Sequence, residues 1–330
     1  MSPRSLIAGA ALALAATAAM ANEKVVFATN WLAQAEHGGF YQAVADGTYA
    51  ACGLDVEILM GGPQVNNRAL LLAGKIDYNM GGNILGSFNA AAEGIPVVVV
   101  AASFQKEPQV IIAHPGEAET FDDLKNLTLL ISDEGFQSYY QWMIAAKGFT
   151  AAQREPYTFS AAPFLADKKK AMQGYLTSEP YLIQKEAGFE PKVFLIADAG
   201  YGDYSTTIET MKTTVETKPE QVKCFVEGSI KGWYNYLYGD NSAANALIQK
   251  DNPDMTDDKI AYAVEHLKSA GIVDSGDALT MGIGAMTEAK VQSFYDKMVE
   301  AGVLKAGIDW RSAVDFDFVN QKVGMELKPK

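Results

Sequence analysis

The sequence predicts an α/β protein with parallel-rich sheets flanked by helices. Three observations carry that expectation. Strand-length apolar runs alternate with helix-period runs from Val25 to Ile196, no internal repeat or low-complexity linker interrupts them, and the chain is long enough for two ordinary domains. Hydrophobic content of 48% with 20% charged residues belongs to a globular chain, not a disordered one.

The elements follow in order. Residues 25–28 form a short apolar strand running into Asn30-Trp31, and 38–51 have helical spacing. Gly53 stops that helix as a C-terminal glycine does. The run 54–59 alternates strictly, as a half-buried strand should. Residues 67–73 are helical, 76–80 enter a strand, and Gly81-Gly82-Asn83 opens a helix through Ala92. Strands follow at 97–101 and 110–113.

A second unit starts near His114. Thr120 with Asp123 three residues later caps a short helix. Residues 127–131 are a strand, and Ser132-Asp133-Glu134-Gly135 starts the helix bearing Tyr139, Tyr140 and Trp142. A strand is expected at 156–159, a helix at 168–172 with a solvated face of Lys168, Lys169 and Lys170, and a last strand at 193–196 before the turn-rich 198–204. From Ile208 the pattern is mainly helical. Pro219 suits the first turn of a helix to Tyr238, and helices are expected at 242–251, 256–269 and 287–301. Without a flexible linker, the two domains should share more than one crossover strand.

The first 21 residues read as an export signal. Arg4 supplies a positive start, 6–19 carry no charge, and Ala19-Met20-Ala21 is the small-x-small pattern before a cleavage point. The apolar run falls short of the roughly 20 residues a membrane anchor needs. The formal net charge is −13, or −14 once Arg4 leaves with the signal, which disfavours nucleic acid and anionic headgroups as partners. Cys52 and Cys224 have no metal or redox spacing; export permits a disulfide, but two separate buried thiols are the favoured expectation. His37, His114 and His266 are scattered and form no metal motif.

Several ordered fragments carry a resemblance. They are Asn30-Trp31, Glu36-His37-Gly38-Gly39-Phe40-Tyr41-Gln42-Ala43, Gly53-Leu54-Asp55-Val56-Glu57-Ile58, Leu72-Ala73-Gly74-Lys75-Ile76-Asp77-Tyr78 and Glu93-Gly94-Ile95-Pro96-Val97. Phe121-Asp122-Asp123-Leu124-Lys125 and Gly174-Tyr175-Leu176-Thr177-Ser178-Glu179-Pro180-Tyr181 complete the set. Together they resemble the periplasmic substrate-binding proteins of ABC importers, in the group related to the yeast thiamine-pyrimidine synthase (NMT1/THI5-like, SsuA-like). The resemblance implies a two-lobed periplasmic-binding-protein fold of type II with a ligand cleft between the lobes. Lobe one would comprise 22–112 plus 206–330, and lobe two 113–205.

The candidate ligand contacts are Trp31, His37, Gly82, Asn83, Gln105, Tyr175, Glu179, Tyr181 and Tyr204. Trp31 follows the first strand and offers a ring face to a flat solute. His37 stands at a helix start, and the resemblance puts the equivalent position beside the ligand. Gly82 and Asn83 belong to a predicted helix N-terminus, whose free N–H groups favour carbonyl or anionic groups. Gln105 offers a donor and an acceptor to a ring edge. Tyr175, Glu179 and Tyr181 lie in the stretch that resembles the family's carboxylate-bearing segment, and a carboxylate accepts from a ring amino group. Tyr204 falls near the second crossover with Tyr201 and Asp203. Trp142, Trp233 and Trp310 are expected in cores or between helices. Trp233 with Tyr234, Tyr236 and Tyr238 is dense enough to suggest a partner surface.

The function that follows is a periplasmic solute-binding component of an ABC importer, a monomer working with an inner-membrane permease and needing no cofactor. A formylated aminopyrimidine precursor of thiamine leads the ligands, ahead of other pyrimidines or riboflavin, then taurine and alkyl sulfonates or aromatic carboxylates. Arginine is scarce after the signal (Arg68, Arg154, Arg311), and only Arg68 lies near a predicted cleft loop, which disfavours a strong anion. A pyrimidine-making enzyme of the same fold would carry a cysteine-rich iron-binding motif, and no G-x-S-x-G elbow supports a hydrolase.

Overall fold

The computed structural model describes residues 21–62 and 65–329. The export signal expected over 1–21 therefore lies outside the described residues save for Ala21. No helix among the described residues is long and apolar enough to cross a membrane.

The chain builds β1 (Glu23–Ala28), α1 (Gly38–Ala45), α2 (Thr48–Ala51), β2 (Leu54–Leu59), α3 (Asn67–Leu72), β3 (Tyr78–Asn83), α4 (Ile84–Ala92) and β4 (Val97–Phe104). It then crosses into β5 (Gln109–Ala113), β6 (Thr128–Ile131), α5 (Asp133–Gln137), α6 (Tyr139–Lys147), β7 (Arg154–Pro156), α7 (Ala162–Ala166), β8 (Lys170–Tyr175), α8 (Glu179–Ala187) and β9 (Lys192–Leu195). It returns through β10 (Ser205–Met211) into α9 (Lys212–Thr217), α10 (Pro219–Tyr238), α11 (Ser242–Asp251), α12 (Asp257–Ser269), α13 (Ala278–Met281) and α14 (Glu288–Glu300).

Two five-stranded sheets result, ordered β2-β1-β3-β10-β4 and β7-β6-β8-β5-β9. Each contains one strand that reaches it across the hinge and runs against its neighbours. In the first sheet β10 is antiparallel to β3 and β4; in the second β5 is antiparallel to β8 and β9. The remaining ladders, β1 with β2 and β3 and β6 with β7 and β8, are parallel, as the alternation of strands and helices requires. The chain changes sheet between Phe104 and Gln109 and again between Leu195 and Ser205. The change expected at 112/113 thus falls inside β5, whose pairing with β8 assigns it to the second lobe.

Four expected elements are corrected. Gly81-Gly82-Asn83 ends β3, and the helix starts at Ile84. Residues 168–172 are not helical: Lys168 and Lys169 lie in an exposed turn, and Lys170 begins β8, whose Ala171, Met172 and Gln173 are buried between β6 and β5. Ile208 belongs to β10, a strand whose polar Ser205, Thr207 and Glu209 are buried and so hide its apolar signature. No strand forms over 157–159: β7 ends at Pro156, and the expected strand shares only that residue with it. The cap expected at Thr120 is present as a box with Asp123, on a 3-10 turn.

Cys52 and Cys224 form a disulfide, correcting the expectation of separate buried thiols. Cys52 lies exposed in the turn after α2 and Cys224 on α10, close enough to bridge across 172 residues of sequence. Trp233, Tyr234 and Tyr236 are all buried, so the aromatic stretch of α10 is core and not a partner surface. That burial positions the site. A Cβ on Gly38 would meet the Tyr236 ring at 2.0 Å, and one on Gly39 the Trp233 ring at 2.3 Å. The glycines let α1 lie flat on α10, which fixes Glu36 and His37 just before it.

Candidate functional site

A cavity of about 520 Å³ lies between the lobes. Lobe one contributes the chain after β1 (Asn30, Trp31, Gln34, Glu36, His37), the end of β3 (Gly82, Asn83) and Arg68 of α3. Lobe two contributes Ser132 and Glu134 at the start of α5, Tyr139, the Tyr157–Phe159 loop, Gln173 and Tyr175 of β8, and Glu179 at the start of α8. Glu107 from the first crossover and Thr206 from β10 join them. The parallel strands β1, β3, β6 and β8 all aim their carboxyl ends here, the position α/β sheets give to ligands.

Six of the nine candidate residues line this cavity: Trp31, His37, Gly82, Asn83, Tyr175 and Glu179. The other three are placed elsewhere. Gln105 is buried behind the hinge, where its Nε2 donates to the Ala285 carbonyl at 2.8 Å. Tyr204 donates to Asp277 Oδ2 at 2.5 Å and accepts from the Thr287 amide at 3.0 Å, beneath the Lys290 ammonium, 3.9 Å from its ring centroid. Tyr181 donates to Asp258 Oδ2 on the facing lobe, outside the cavity.

The carboxyl groups set the electrostatics. Burial pushes Glu36 up to about 7, although Thr177 Oγ1 donates to its Oε1. Burial likewise pushes Glu107 up to about 8, with the Glu134 charge adding to the effect and the Asn83 and Ser205 side chains opposing it. Its Oε2 is buried without a hydrogen-bond partner. Glu179 is also raised by burial, against the amide of Tyr175, which donates to its Oε2 at 2.7 Å. His37 is held neutral: burial lowers it to about 3, and its Nδ1 has no partner. The Tyr175 hydroxyl feels Glu107, Glu36 and Glu179 together, which ties these carboxyls to one small volume.

Arg68 is the sole fixed cation among the described lining residues; its charge is paired with Glu209, while its buried Nε has no hydrogen-bond partner. Its Nη2 donates to Glu209 Oε1 at 2.8 Å and its Nη1 to the Gly86 carbonyl at 3.2 Å. Glu209 is fully buried and also accepts from Asn79 and Ser87. On lobe two, Gln173 Oε1 accepts from the Ser132 amide at 2.6 Å and the Tyr139 hydroxyl at 3.0 Å, which orients its amide. Trp31 and Phe159 face each other across the opening. This set can bind a flat solute by its faces and its polar edge. Among the described residues no group of three or more His, Cys, Asp or Glu is placed to hold a metal ion.

Sequence reasoning missed Glu36, Glu107, Tyr157, Phe159 and Gln173 as cavity residues. The Glu36-His37 fragment is a usable signal for Glu36, which directly precedes the candidate His37. Glu107 and Phe159 gave none, because only the meeting of the lobes brings them to one place.

Residues 34–243, more than half of the chain, match the family described as NMT1/THI5 like, and the chain belongs to that family. The riboflavin-binding protein RibY of Chloroflexus aurantiacus is 25% identical over 242 residues, 69% of this chain and 66% of RibY, just under two thirds of that relative's length. The aliphatic sulphonate binding protein SsuA from Escherichia coli superposes with a TM-score of 0.62 at 16% identity, covering 89% of this chain and 92% of SsuA. The desulfurization enzyme DSZB shares the fold at a TM-score of 0.58 and 11% identity, over 92% of this chain and 100% of the enzyme. At those identities the two structures speak for the periplasmic-binding-protein fold alone.

Proposed function

We propose that this NMT1/THI5-like protein is the exported solute-binding component of an ABC importer, and that its lobes close on a flat nitrogen heteroaromatic solute. A thiamine pyrimidine precursor of the formylaminopyrimidine type is the first candidate. One observation carries the reading: the interlobe cavity joins the aromatic faces of Trp31, Tyr157 and Phe159 to the carboxyl groups of Glu36, Glu107, Glu134 and Glu179. Its one arginine is neutralised by Glu209. A sulfonate entering here would meet carboxyl groups and no uncommitted cation among the described lining residues, whereas ring N–H and amino groups would find acceptors. Hinge closure at the two crossovers is the expected motion, delivering the solute to an inner-membrane permease.

The 25% identity with RibY supports a second reading, in which the solute is riboflavin, another flat ring system with polar edges. A thermal-shift screen of the chain without its first 21 residues separates the two. A solute at 100 times its dissociation constant adds about 2.7 kcal/mol to stability. A shift with aminopyrimidines supports the first reading and a shift with riboflavin the second. Shifts with taurine, alkyl sulfonates or aromatic carboxylates alone overturn both.

A further inference from the structure

Glu107 is not explained by the fold. It lies in the short link between β4 and β5, inside the hinge, and still lines the solute cavity. Its side chain is buried, and Oε2 has no hydrogen-bond partner. A buried carboxyl oxygen without a partner is costly, and a link residue has no packing reason to be acidic. The groups facing it are acidic or neutral: Glu134 on α5, Asp203 before β10, the hydroxyls of Tyr139, Tyr175 and Tyr201, and the side chains of Asn83 and Ser205. The Lys290 ammonium acts on Asp203 in this set and donates to the Gln105 carbonyl at 2.6 Å.

We propose that Glu107 reads an amino-azine edge, its carboxyl donating to a ring nitrogen and accepting from the adjacent exocyclic amino group. The inference rests on the heteroaromatic reading and narrows it to rings with an amino group next to a ring nitrogen. A carboxylate offers only acceptors and would oppose the ring-nitrogen lone pair, whereas the acid form presents one donor and one acceptor side by side. At neutral pH this carboxyl keeps its proton, because burial and the Glu134 charge hold it at about 8. Well below that pH, solute binding to this acid form neither takes up nor releases a proton. A neutral pair also suits a buried place better than an ion pair, whose desolvation offsets its attraction.

Two variants and one profile test this. The probes are 4-amino-5-hydroxymethyl-2-methylpyrimidine and its 4-oxo analogue, titrated by calorimetry. Wild type is expected to prefer the amino ring by tenfold or more, with affinity level near pH 7 and falling about tenfold per pH unit above the titration of Glu107. Glu107→Gln keeps a donor and an acceptor at the same place, so it should retain amino-ring binding within about threefold and lose the alkaline fall. Glu107→Ala should lose the preference for the amino ring. Loss of binding in Glu107→Gln would show a carboxylate acting on a cation and overturn the proposal. So would a Glu107→Ala that discriminates like wild type, or an alkaline fall that persists in Glu107→Gln. If wild type binds neither pyrimidine, the pyrimidine reading fails and this inference with it. If wild type binds both rings equally, only the inference fails.

Discussion

Trp31 of lobe one and Phe159 of lobe two face each other across the cavity opening, ring centroids 6.2 Å apart and planes 34° apart. Two stacking contacts of about 3.5 Å each would need about 7 Å, so a small further opening and a levelling of the planes admits one flat ring. Phe159 is 67% exposed and has φ of +61°, a conformation that non-glycine residues rarely adopt. Trp31→Ala is expected to weaken solute binding at least tenfold, about 1.4 kcal/mol. Phe159→Ala should weaken it with little change in thermal stability, since so little of the side chain is buried. Calorimetry on both variants checks this, and unchanged affinity in both removes the stacking role.

What was legible follows from local periodicity. The strand at Leu54–Leu59 and the helix at Ser242–Asp251 stand where the sequence puts them, because each shows one face to solvent and one to the core. β10 was not legible: it is buried on both sides, and its Glu209 is made tolerable only by Arg68, Asn79 and Ser87 arriving from other elements. The cavity divides the same way. Trp31 follows the end of β1 and Asn83 is the last residue of β3, next to a helix start, so both could be found from position. Glu107, in Gln105-Lys106-Glu107-Pro108, looks like a solvated turn until the lobes close around it. Gln105 follows a buried strand with a donor and an acceptor to offer, and Tyr204 falls near the second crossover, yet both face the back of the hinge.

Stability should depend on pH with a definite sign. Glu36 and Glu107 bind protons more tightly folded than unfolded, being raised from 4.5 to about 7 and about 8. Their contribution is present at low pH and is lost as pH rises through those values. His37, lowered from 6.5 to about 3, works the other way and costs stability as pH falls below 6.5. Between pH 6.5 and 8 the carboxyls dominate, so the solute-free protein should lose stability as pH rises, by up to about 1.4 kcal/mol per unit for each fully titrating group. Glu107→Gln should flatten that slope. Denaturant unfolding followed by tryptophan fluorescence at several pH values reads it, and a slope equal in wild type and variant would contradict the burial assigned to Glu107.

The disulfide predicts a separation of stability from binding. Cys52 and Cys224 close a span of 172 residues, and the loss of chain entropy in the unfolded state is worth up to about 5 kcal/mol for so long a loop. Neither cysteine lines the cavity. The double Cys→Ser variant, or mild reduction of the wild type, should lower the melting temperature by several degrees and leave solute affinity within about twofold. A matching loss of affinity would show that the bridge shapes the cleft from behind α10.

Contacts across the cleft should differ sharply in strength. Thr177 donates to Glu36 in full burial, while Tyr181 donates to Asp258 and Lys185 lies 3.4 Å from the same carboxylate with both charged side chains more than half exposed. All three join lobe two to lobe one, and Asp258, at the start of α12, lies about 20 Å of helix and turn away from Ile272, which accepts the Gln105 amide at the hinge. Exposed pairs are screened by water and salt, whereas a buried acceptor stripped of its donor pays its full desolvation. Thr177→Val is therefore expected to destabilise the closed form by about 1–3 kcal/mol, independently of salt. Asp258→Asn should change solute affinity by less than about fivefold, mainly through faster release, and salt should erase the difference. Stopped-flow dissociation at low and high ionic strength distinguishes them. A larger, salt-sensitive effect at Asp258 would mean that the exposed contact, and not the buried one, holds the lobes together.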